Sequence, residues 1–444
     1  MRRVLWVVLA AVLAVTLWGA AASATTSNGS KPSQSGSRTV KSWVGTWAAS
    51  PQPPYSSGIS HDGFYNQTVR NIVHTSIGGT LVRVRLSNTF GNKSLEIGRA
   101  SVAIQARGAA VKPDSVRTLT FDGKKHVVIP QGKQIFSDPV RLKIKPQQNL
   151  AVSIYVPNKS GPTTFHQDAQ QVNYISTPGD HTSDALPTAF SGAASSWFYV
   201  DGVDVYKRHS SGAIVALGDS ITDGYQSSIN TNHRWPDYLS RRLDRLPTWH
   251  RESVLNEGIS GNRVLRNSPL FGVSALKRLN RDVLSQSGVR YVIVLEGIND
   301  IQQTPHTLDA SKIISGYKKI IRRAHAQGLK VYGGTLLPFE GCGQYYSGCY
   351  SKKQEQTREK VNHWICHSGR FDAVIDFDRA VRDPQNPKRL APRYDSGDHL
   401  HPNDLGYKAM AKAIRLKLFE QKPNNHRTGY LREKSTNTGR AEGR

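Results

Sequence analysis

A serine at the end of a predicted strand has the surroundings that a nucleophile needs. Ser220 lies in the segment from Gly218 to Gly224, which follows an apolar run from Ala213 to Leu217 and precedes a segment able to start a helix. At such a turn the hydroxyl is exposed, and the backbone N–H points outward beside the positive end of a helix dipole. Because a Gly-Asp-Ser turn is common in itself, the prediction of a nucleophile depends on partners elsewhere in the chain.

A candidate base with its carboxylate lies near the other end of the chain. Serine is a weak nucleophile at neutral pH and needs a base, usually a histidine oriented by a carboxylate. Asp398 and His401 are three residues apart on a short predicted loop, so the carboxylate can turn back to the imidazole. His399 competes for this role, but we assign it to the loop because adjacent side chains diverge on a turn. A metal site at these residues is a minor alternative, since no further cluster at ligand spacing accompanies them.

Two more segments, residues 256–263 and 296–301, can supply hydrogen-bond donors for an oxyanion. Each follows an apolar run, and each contains the glycine and asparagine residues whose N–H groups serve that purpose. Glu257 and Glu296 in these segments are expected to make mainly structural hydrogen bonds. Asp223 is expected to cap a helix or a turn.

These four segments, in this order, resemble the signature blocks of the SGNH or GDSL hydrolases, which are serine esterases and acylhydrolases. The resemblance extends from about Gly212 to about Glu420, and Ile221 stands where the family name has leucine. It implies a Ser-His-Asp triad that needs no cofactor and no metal. The implied triad is Ser220, Asp398 and His401, and the implied oxyanion donors are the N–H of Ser220, Gly261 and Asn299.

The pattern of apolar residues predicts two domains. Residues 42–207 show short alternating strands, which are typical of an antiparallel, jelly-roll-like β-sandwich; examples are Leu81–Leu86, Ser94–Ile104 and Trp197–Tyr206. Residues 208–420 alternate apolar strands with helical stretches such as Lys312–Gln327 and Asn403–Phe419. This alternation predicts an α/β fold, a flavodoxin-like parallel sheet with helices on both faces, whose site lies beyond the carboxyl ends of the strands.

The N-terminal domain also resembles known proteins. The segments Trp43–Pro51 and Leu86–Gly91 are similar to the leader domain of secreted bacterial and fungal GDSL-type proteins, some of them associated with xylan deacetylation. The resemblance supports the architecture more than the activity. Aromatic residues of this domain could bind carbohydrate, although burial in the core is the simpler interpretation. They are Trp47, Tyr55, Tyr65 and Trp197.

The start of the chain is typical of an exported protein. A basic beginning, an apolar stretch from Val4 to Leu17 and the small residues before Thr25 predict a signal peptide over residues 1–24. A membrane anchor is the alternative, but the apolar stretch is short for a bilayer and is broken by Gly19. Residues 25–41 are rich in Ser and Gly and are expected to form a flexible linker. We therefore expect a secreted, extracellular protein.

Three cysteines fit an oxidising compartment. Cys342 and Cys349 can close a small glycine-rich loop, which leaves Cys366 as a buried free thiol on a predicted helix. A bridge between Cys349 and Cys366 is also compatible with the spacing.

The chain carries a formal net charge of +26, and residues 421–444 are predicted to be a basic, disordered tail. Such a charge favours anionic partners such as acidic polysaccharides or lipid surfaces, but it is spread along the chain and accompanies no nucleic-acid motif. We expect a monomer without a nucleic-acid partner and without stable membrane insertion after signal cleavage.

Taken together, the residues predict a secreted serine ester hydrolase that removes short acyl groups, above all acetyl, from a carbohydrate or similar ester. A lipase or phospholipase-type acylhydrolase is the first alternative, disfavoured by the lack of a long apolar lid segment. A carbohydrate- or cell-wall-binding protein with a vestigial hydrolase domain is the second. The complete set of catalytic residue types argues against it.

Overall fold

The computed structural model describes residues 42–207 and 212–420 of the chain. The predicted signal peptide (1–24), linker (25–41) and basic tail (421–444) lie outside the described residues. The boundary predicted between residues 207 and 208 falls at the edge of the short gap between the two described ranges.

The first range is built almost entirely from β-strands. Its elements are β1 (Ser42–Ala48), α1 (Ile59–Asp62), β2 (Gln67–His74), β3 (Gly79–Ser87), β4 (Leu95–Ile97), β5 (Arg99–Arg107), β6 (Ala110–Val111), β7 (Arg117–Leu119), β8 (Val127–Ile129), β9 (Gln134–Phe136), β10 (Val140–Ile144), β11 (Asn149–Val156), β12 (Phe165–His166), β13 (Asn173–Pro178), β14 (Gly192–Ala194), β15 (Trp197–Phe198) and β16 (Val200–Lys207). One antiparallel sheet has the order β1-β16-β3-β10 and the other β14-β13-β2-β11-β5-β6, with β9 and β7 paired at β3 and β5. The predicted β-sandwich is confirmed.

Two predicted strands are each split in two. The strand expected over Ser94–Ile104 is divided at Gly98 into β4 and β5. The strand expected over Trp197–Tyr206 is divided at Tyr199, whose φ of 60° lies in the left-handed region and breaks the extended backbone. Its ring is buried and its hydroxyl donates to Ser160 Oγ at 2.9 Å, so tertiary contacts hold this conformation.

Two of the four aromatic residues weighed as carbohydrate ligands belong to the core instead. Trp47 and Trp197 are 6% and 3% exposed, and their rings pack edge to face with centroids 5.0 Å apart. Tyr55 is half-buried and packs on Phe165, whereas Tyr65 is 58% exposed. Burial in the core is therefore the correct interpretation for the two tryptophans.

The second range contains one parallel sheet. Its strands are β17 (Ala213–Gly218), β18 (Ser253–Gly258), β19 (Val289–Leu295), β20 (Lys330–Gly334) and β21 (Ala373–Ile375), in the order β18-β17-β19-β20-β21. All neighbouring pairs are parallel. This is the flavodoxin-like strand order, so the predicted fold class is confirmed. The run Ala213–Leu217 is apolar throughout because every one of its side chains is buried.

Helices connect the strands of this sheet. They are α2 (Ser220–Asp223), α3 (Trp235–Asp244), α4 (Ala275–Leu279), α5 (Ile298–Gln302), α6 (Ala310–His325), α7 (Lys352–His367), α8 (Phe377–Val381) and α9 (Asp404–Ala413). The helix predicted to run to Phe419 ends at Ala413, because Ile414 is extended (φ −75°, ψ 117°) and the ring of Phe419 packs against Tyr291 and Tyr332. None of the helices in the two described ranges combines the length and apolar character needed to cross a bilayer.

The sandwich and the parallel sheet pack directly against each other. The N–H of Gly45 in β1 donates to the backbone oxygen of Ser287 at 2.9 Å, and the hydroxyl of Ser50 donates to Glu257 Oε2 at 2.5 Å. Both Ser50 and Glu257 are buried. The sandwich is therefore part of the surroundings of the candidate site.

The predicted pairing of two cysteines is confirmed, but the predicted burial of the third is not. Cys342 and Cys349 form a disulfide. Cys366 is a free thiol, but it is exposed, so the prediction of a buried thiol was wrong. The buried side of α7 contains Val361 and Ile365, and the residue after Ile365 is turned about 100° away from that side.

Candidate active site

The proposed nucleophile lies where β17 turns into α2. Asp219 accepts a hydrogen bond from the N–H of Ile221 at 3.0 Å and thereby caps the short helix. Ser220 is the first residue of α2, and no acceptor for its N–H is found within the described ranges. The geometry matches the strand-to-helix turn expected from the sequence.

Ser220, His401 and Asp398 form a continuous hydrogen-bonded chain. Ser220 Oγ lies 2.8 Å from His401 Nε2, and His401 Nδ1 lies 2.6 Å from Asp398 Oδ2. The other oxygen of Asp398 accepts the N–H groups of His401 at 2.8 Å and Leu400 at 3.0 Å. Burial alone would raise the pKa of Asp398, but the hydrogen bond and charge of His401 outweigh it and hold the pKa well below its usual range. The carboxylate is thus ionised and fixed against the imidazole.

His399, the competing histidine, belongs to a separate pair. Its Nδ1 lies 2.6 Å from Asp395 Oδ2, and its φ of 59° turns the backbone between it and His401. The ring packs near Gly341 and Tyr345. The loop role predicted for His399 agrees with this placement.

The two residues that the family resemblance implies as oxyanion donors border the same cleft as Ser220. Asn299 lies in the first turn of α5, shortly after the end of β19. One hydrogen of its Nδ2 is donated to the backbone oxygen of Asn262 at 2.9 Å, and its Oδ1 accepts from Gln302 and Gln303 at 2.6 and 3.0 Å. These contacts define the orientation of the amide and leave the second hydrogen available.

Gly261 cannot be replaced by a larger residue without rearrangement. Its φ is 75°, and a Cβ atom built on it would lie 2.3 Å from the ring of Phe271. No partner for its N–H occurs among the described residues. Glycine at this position therefore satisfies both the left-handed backbone and the close approach of the aromatic ring.

Arg278 lies beneath the site and binds several of the segments that form it, and no sequence pattern predicted this role. The side chain is fully buried, and its donors reach the backbone oxygens of Gly218 (2.9 Å) and Glu257 (2.7 Å), Asn262 Oδ1 (3.0 Å) and Ser50 Oγ (2.7 Å). It also forms ion pairs with Asp282 and Glu296. A basic residue on a helix carries no signal of such a role, because the contacts come from four separate parts of the chain.

The two glutamates of the motif segments are structural, as expected. Glu257 binds Ser50 and accepts from Gln286 Nε2 at 2.6 Å, and Glu296 pairs with Arg278. Burial raises the pKa of both carboxyl groups well above the usual value.

Asp223 was expected to take a helix N-cap or a turn role, and only the helix-cap part of this prediction was wrong. The cap is Asp219, and Asp223 is the last residue of α2. Its carboxylate accepts from the N–H and hydroxyl of Ser260 at 3.0 and 2.9 Å and pairs with His166 Nε2 at 3.0 Å. Since His166 is in β12, Asp223 joins the sandwich to the loop that contains Gly261.

The disulfide loop contributes a tyrosine to the site. Tyr346 lies between Cys342 and Cys349, and its hydroxyl donates to Asp398 Oδ2 at 3.2 Å. Its ring also lies edge-on to His401, with centroids 6.3 Å apart. The loop is predictable from the cysteine spacing, but the contact of Tyr346 is not, because only the tertiary fold brings the loop to Asp398.

An open cleft of about 380 Å³ leads to Ser220. Most of the side chains that line it carry amide or hydroxyl groups, and none is Lys or Arg. Its lining is Gln167, Asp168, Ser220, Tyr225, Ser260, Gly261, Phe271, Asn299, Gln302, Gln303, Thr304, Tyr346, Ser347, Leu400 and His401. Across residues 42–207 and 212–420, the His, Cys, Asp and Glu side chains form no group of three or more that could hold a metal ion.

Comparison with known proteins finds a family model that matches part of the second half of the chain. Residues 216–409 match the model of the GDSL-like Lipase/Acylhydrolase family. No curated protein matches the chain.

Several solved structures are similar to part of the chain. One is a putative lipolytic protein of the G-D-S-L family from Desulfitobacterium hafniense DCB-2, which is 21% identical. The match covers 45% of this chain and 96% of that chain, with a TM-score of 0.35. The acetyl xylan esterase AlAXEase is 20% identical over 45% of this chain and 96% of its own, with a TM-score of 0.34. Est24, a carbohydrate acetylesterase from Sinorhizobium meliloti, is 16% identical over 47% and 98%, with a TM-score of 0.36. Residues 216–409 therefore correspond to a GDSL-like lipase/acylhydrolase domain, and this match supports a carboxylic ester hydrolase.

Proposed function

We propose that this protein is a secreted serine esterase that removes short acyl groups, above all acetyl, from a carbohydrate through a Ser-His-Asp acyl-enzyme mechanism. One observation carries the mechanism: Ser220 Oγ lies 2.8 Å from His401 Nε2, and His401 Nδ1 lies 2.6 Å from the Asp398 carboxylate. A binding protein would not need nucleophile, base and carboxylate in hydrogen-bonded sequence.

In the acylation step, Ser220 Oγ attacks the ester carbonyl carbon while its proton moves to His401 Nε2. The carbonyl oxygen becomes an oxyanion, which accepts hydrogen bonds from the N–H groups of Ser220 and Gly261 and from Asn299 Nδ2. Asp398 stabilises the imidazolium. The carbon–oxygen bond to the alcohol then breaks, and His401 gives its proton to the departing alkoxide.

Deacylation repeats these movements with water as the nucleophile. His401 takes a proton from the water as its oxygen attacks the acyl carbon, and a second oxyanion forms in the same place. When this intermediate collapses, the bond to Ser220 Oγ breaks and the serine recovers a proton from His401. The products are the carboxylic acid and the free enzyme.

The character of the cleft supports a small acyl group on a polar alcohol. Most of its lining side chains carry amide or hydroxyl groups. The purely hydrocarbon side chains in the lining are those of Phe271 and Leu400. A long acyl chain would need a continuous apolar surface to make its burial favourable. Secretion is supported by the signal-like beginning of the chain and by the disulfide between Cys342 and Cys349.

A covalent label tests the nucleophile directly. A fluorophosphonate should modify Ser220 in the wild-type protein, as peptide mass spectrometry would show, and should leave Ser220→Ala unmodified. Ser220→Ala should also lose hydrolysis of p-nitrophenyl acetate by about a thousandfold or more. The matched control Ser285→Ala, at an exposed serine, should behave as wild type. Labelling of another residue, or activity of Ser220→Ala within a few fold of wild type, would overturn the mechanism.

A substrate panel tests the remainder of the proposal. Acetyl-xylan and short p-nitrophenyl esters should be hydrolysed faster than long-chain p-nitrophenyl esters and phospholipid. Preference for the long-chain esters or for phospholipid would favour the lipase alternative instead.

A further inference from the structure

The sandwich extends a segment into the cleft of the hydrolase domain. Directly after β12, Gln167 and Asp168 line the same cleft as Ser220 and His401. In the sequence this segment lies about fifty residues before the nucleophile, far from every family signature block. One wall of the candidate active site is therefore built by a part of the chain outside the residues that match the family model.

The segment is fixed on both sides, so Asp168 has a defined place. The N–H of Gln52 donates to Phe165 O at 2.6 Å, and the N–H of Gln167 donates to Gln52 Oε1 at 2.9 Å. On the other side, the His166 ring contacts the Asp223 carboxylate at 3.0 Å. The residues around Asp168 are thus tied to the sandwich and to α2 at once.

Within the described residues, the cleft lacks the lysine and arginine side chains that give the chain its net charge. The chain has a net charge of +26, yet the cleft lining contains the carboxyl group of Asp168 and neither Lys nor Arg. Burial and the charge of Asp223 raise the pKa of Asp168 above its usual value, against the charges of His166 and His401. In either protonation state its oxygens can accept hydrogen bonds from hydroxyl groups.

We infer that Asp168 is a specificity-determining residue, which accepts hydrogen bonds from free hydroxyl groups on the alcohol part of the ester. The inference rests on the proposed function and names the feature of the alcohol that the cleft selects. Two neighbouring hydroxyls can donate to the two oxygens of one carboxyl group, which gives both affinity and orientation. The amide of Gln167 and the hydroxyls of Ser260 and Ser347 line the same cleft and suit a ligand with many hydroxyl groups.

A cationic alcohol such as choline would also be attracted by a carboxylate, but the aromatic rings of the cleft are already engaged. Tyr225 and Tyr346 both lie edge-on to the His401 ring, with centroids 4.8 and 6.3 Å away. Phe271 covers Gly261. Among the described residues, the ring contacts found are with His401 and Gly261 and not with Asp168, so we expect recognition of hydroxyl groups rather than of a quaternary ammonium group.

The test compares two acetylated sugars in which the remaining hydroxyls are either free or acetylated. Wild type and Asp168→Ala are assayed with methyl mono-O-acetyl-xyloside, which has two free hydroxyls, and methyl tri-O-acetyl-xyloside, which has none. The ratio of kcat/KM for the first over the second should fall by about tenfold or more in Asp168→Ala, because two hydrogen bonds to the carboxyl group are lost. Asp114→Ala, at an exposed aspartate of the sandwich, is the matched control and should keep the wild-type ratio.

The outcomes separate this inference from the proposed function. If the wild type hydrolyses these esters in a Ser220-dependent manner but the ratio is unchanged in Asp168→Ala, the inference alone fails and Asp168 has only a structural role. A loss confined to acetylcholine, assayed in parallel, would overturn it in favour of cation recognition. If the wild type hydrolyses none of the esters, the proposed function itself fails. If Asp168→Ala selectively loses activity on the mono-acetylated sugar, this would support Asp168 as the residue that recognises the hydroxyl groups of the alcohol.

Discussion

The Nδ2 atom of Asn299 donates a 2.9 Å hydrogen bond to the backbone oxygen of Asn262. The side-chain oxygen of Asn262 in turn accepts from Arg278 Nε at 3.0 Å, and the same guanidinium holds the backbone oxygen of Gly218, two residues before Ser220. The proposed oxyanion donor and the proposed nucleophile are thus both tied to one buried side chain that lies outside the motifs.

Asn299→Ala should lower kcat by about a hundred- to a thousandfold and leave KM nearly unchanged. The reason is that the carbonyl oxygen acquires its full charge only in the transition state, so substrate binding hardly depends on this donor. Steady-state kinetics with p-nitrophenyl acetate measures both constants. Asn299→Asp should be at least as harmful, because it puts a carboxylate where an anion must form. A defect that lies wholly in KM would show that Asn299 merely holds the substrate.

His401→Ala should be almost inactive, with a loss of about a thousandfold or more, because its ring is the one that contacts Ser220 Oγ. The comparison is His399→Asn, since asparagine tolerates the positive φ of 59° at that position. This variant should keep most of the activity, as His399 contacts Asp395 instead. Esterase assays on both variants decide between the two histidines, and the reverse ranking would move the base to His399.

Tyr346→Phe should lower kcat/KM by about tenfold, because Asp398 loses a hydrogen bond donated over 3.2 Å. Without that donor the carboxylate holds the imidazolium form of His401 more tightly, so the acidic limb of the pH profile of kcat/KM should move to higher pH. Tyr345→Phe, in the same disulfide loop but against His399, is the control. If Tyr346→Phe lowers the rate without moving the limb, the hydroxyl does not act through Asp398.

Arg278→Met should reduce the free energy of unfolding by about 3 kcal/mol or more, because buried Glu296 loses its cation, buried Asp282 keeps only Arg281, and four buried oxygen acceptors lose their donor. Chemical denaturation in urea, followed by tryptophan fluorescence, measures this loss. Arg322→Met, at an exposed position of α6, should change stability by less than about 0.5 kcal/mol. Equal stability of the two variants would mean that the buried network contributes little to the fold.

Asp219→Asn should change how stability depends on pH. Burial raises the pKa of Asp219 from 3.8 to about 7, while the N–H of Ile221 opposes the shift and the charge of Asp300 adds to it. Between these two pH values the folded protein retains a proton that the unfolded chain has released, so this group makes the wild type less stable as the pH rises. Asparagine keeps an oxygen that can cap Ile221 but does not titrate.

From about pH 4 to pH 7, the free energy of unfolding should therefore fall less in the variant than in the wild type. The difference between the two falls should be on the order of 1 kcal/mol or more. Thermal or urea unfolding at several pH values measures the difference. Parallel stability curves for the two proteins across this window would contradict the raised pKa.

The sequence by itself determined the class of fold and the residues that meet at the site. Strand–helix alternation after residue 212 predicts a parallel sheet, and such a sheet brings Ser220, Gly261 and Asn299 to one edge because the carboxyl ends of its strands coincide. The spacing of Asp398 and His401 is a local property, so a short loop suffices to join them. Features of this kind can be predicted from the sequence because backbone periodicity and short-range geometry determine them.

Only the tertiary structure decided which side chains support and border these residues. Arg278, Tyr346 and Asp168 come from a helix, a disulfide loop and the sandwich, and each reaches the site across a large separation in sequence. The burial of Trp47 and Trp197, the exposure of Cys366 and the break at Tyr199 likewise depend on how distant surfaces pack. No local pattern encodes such contacts, because their energy arises from groups that become neighbours only when the chain has folded.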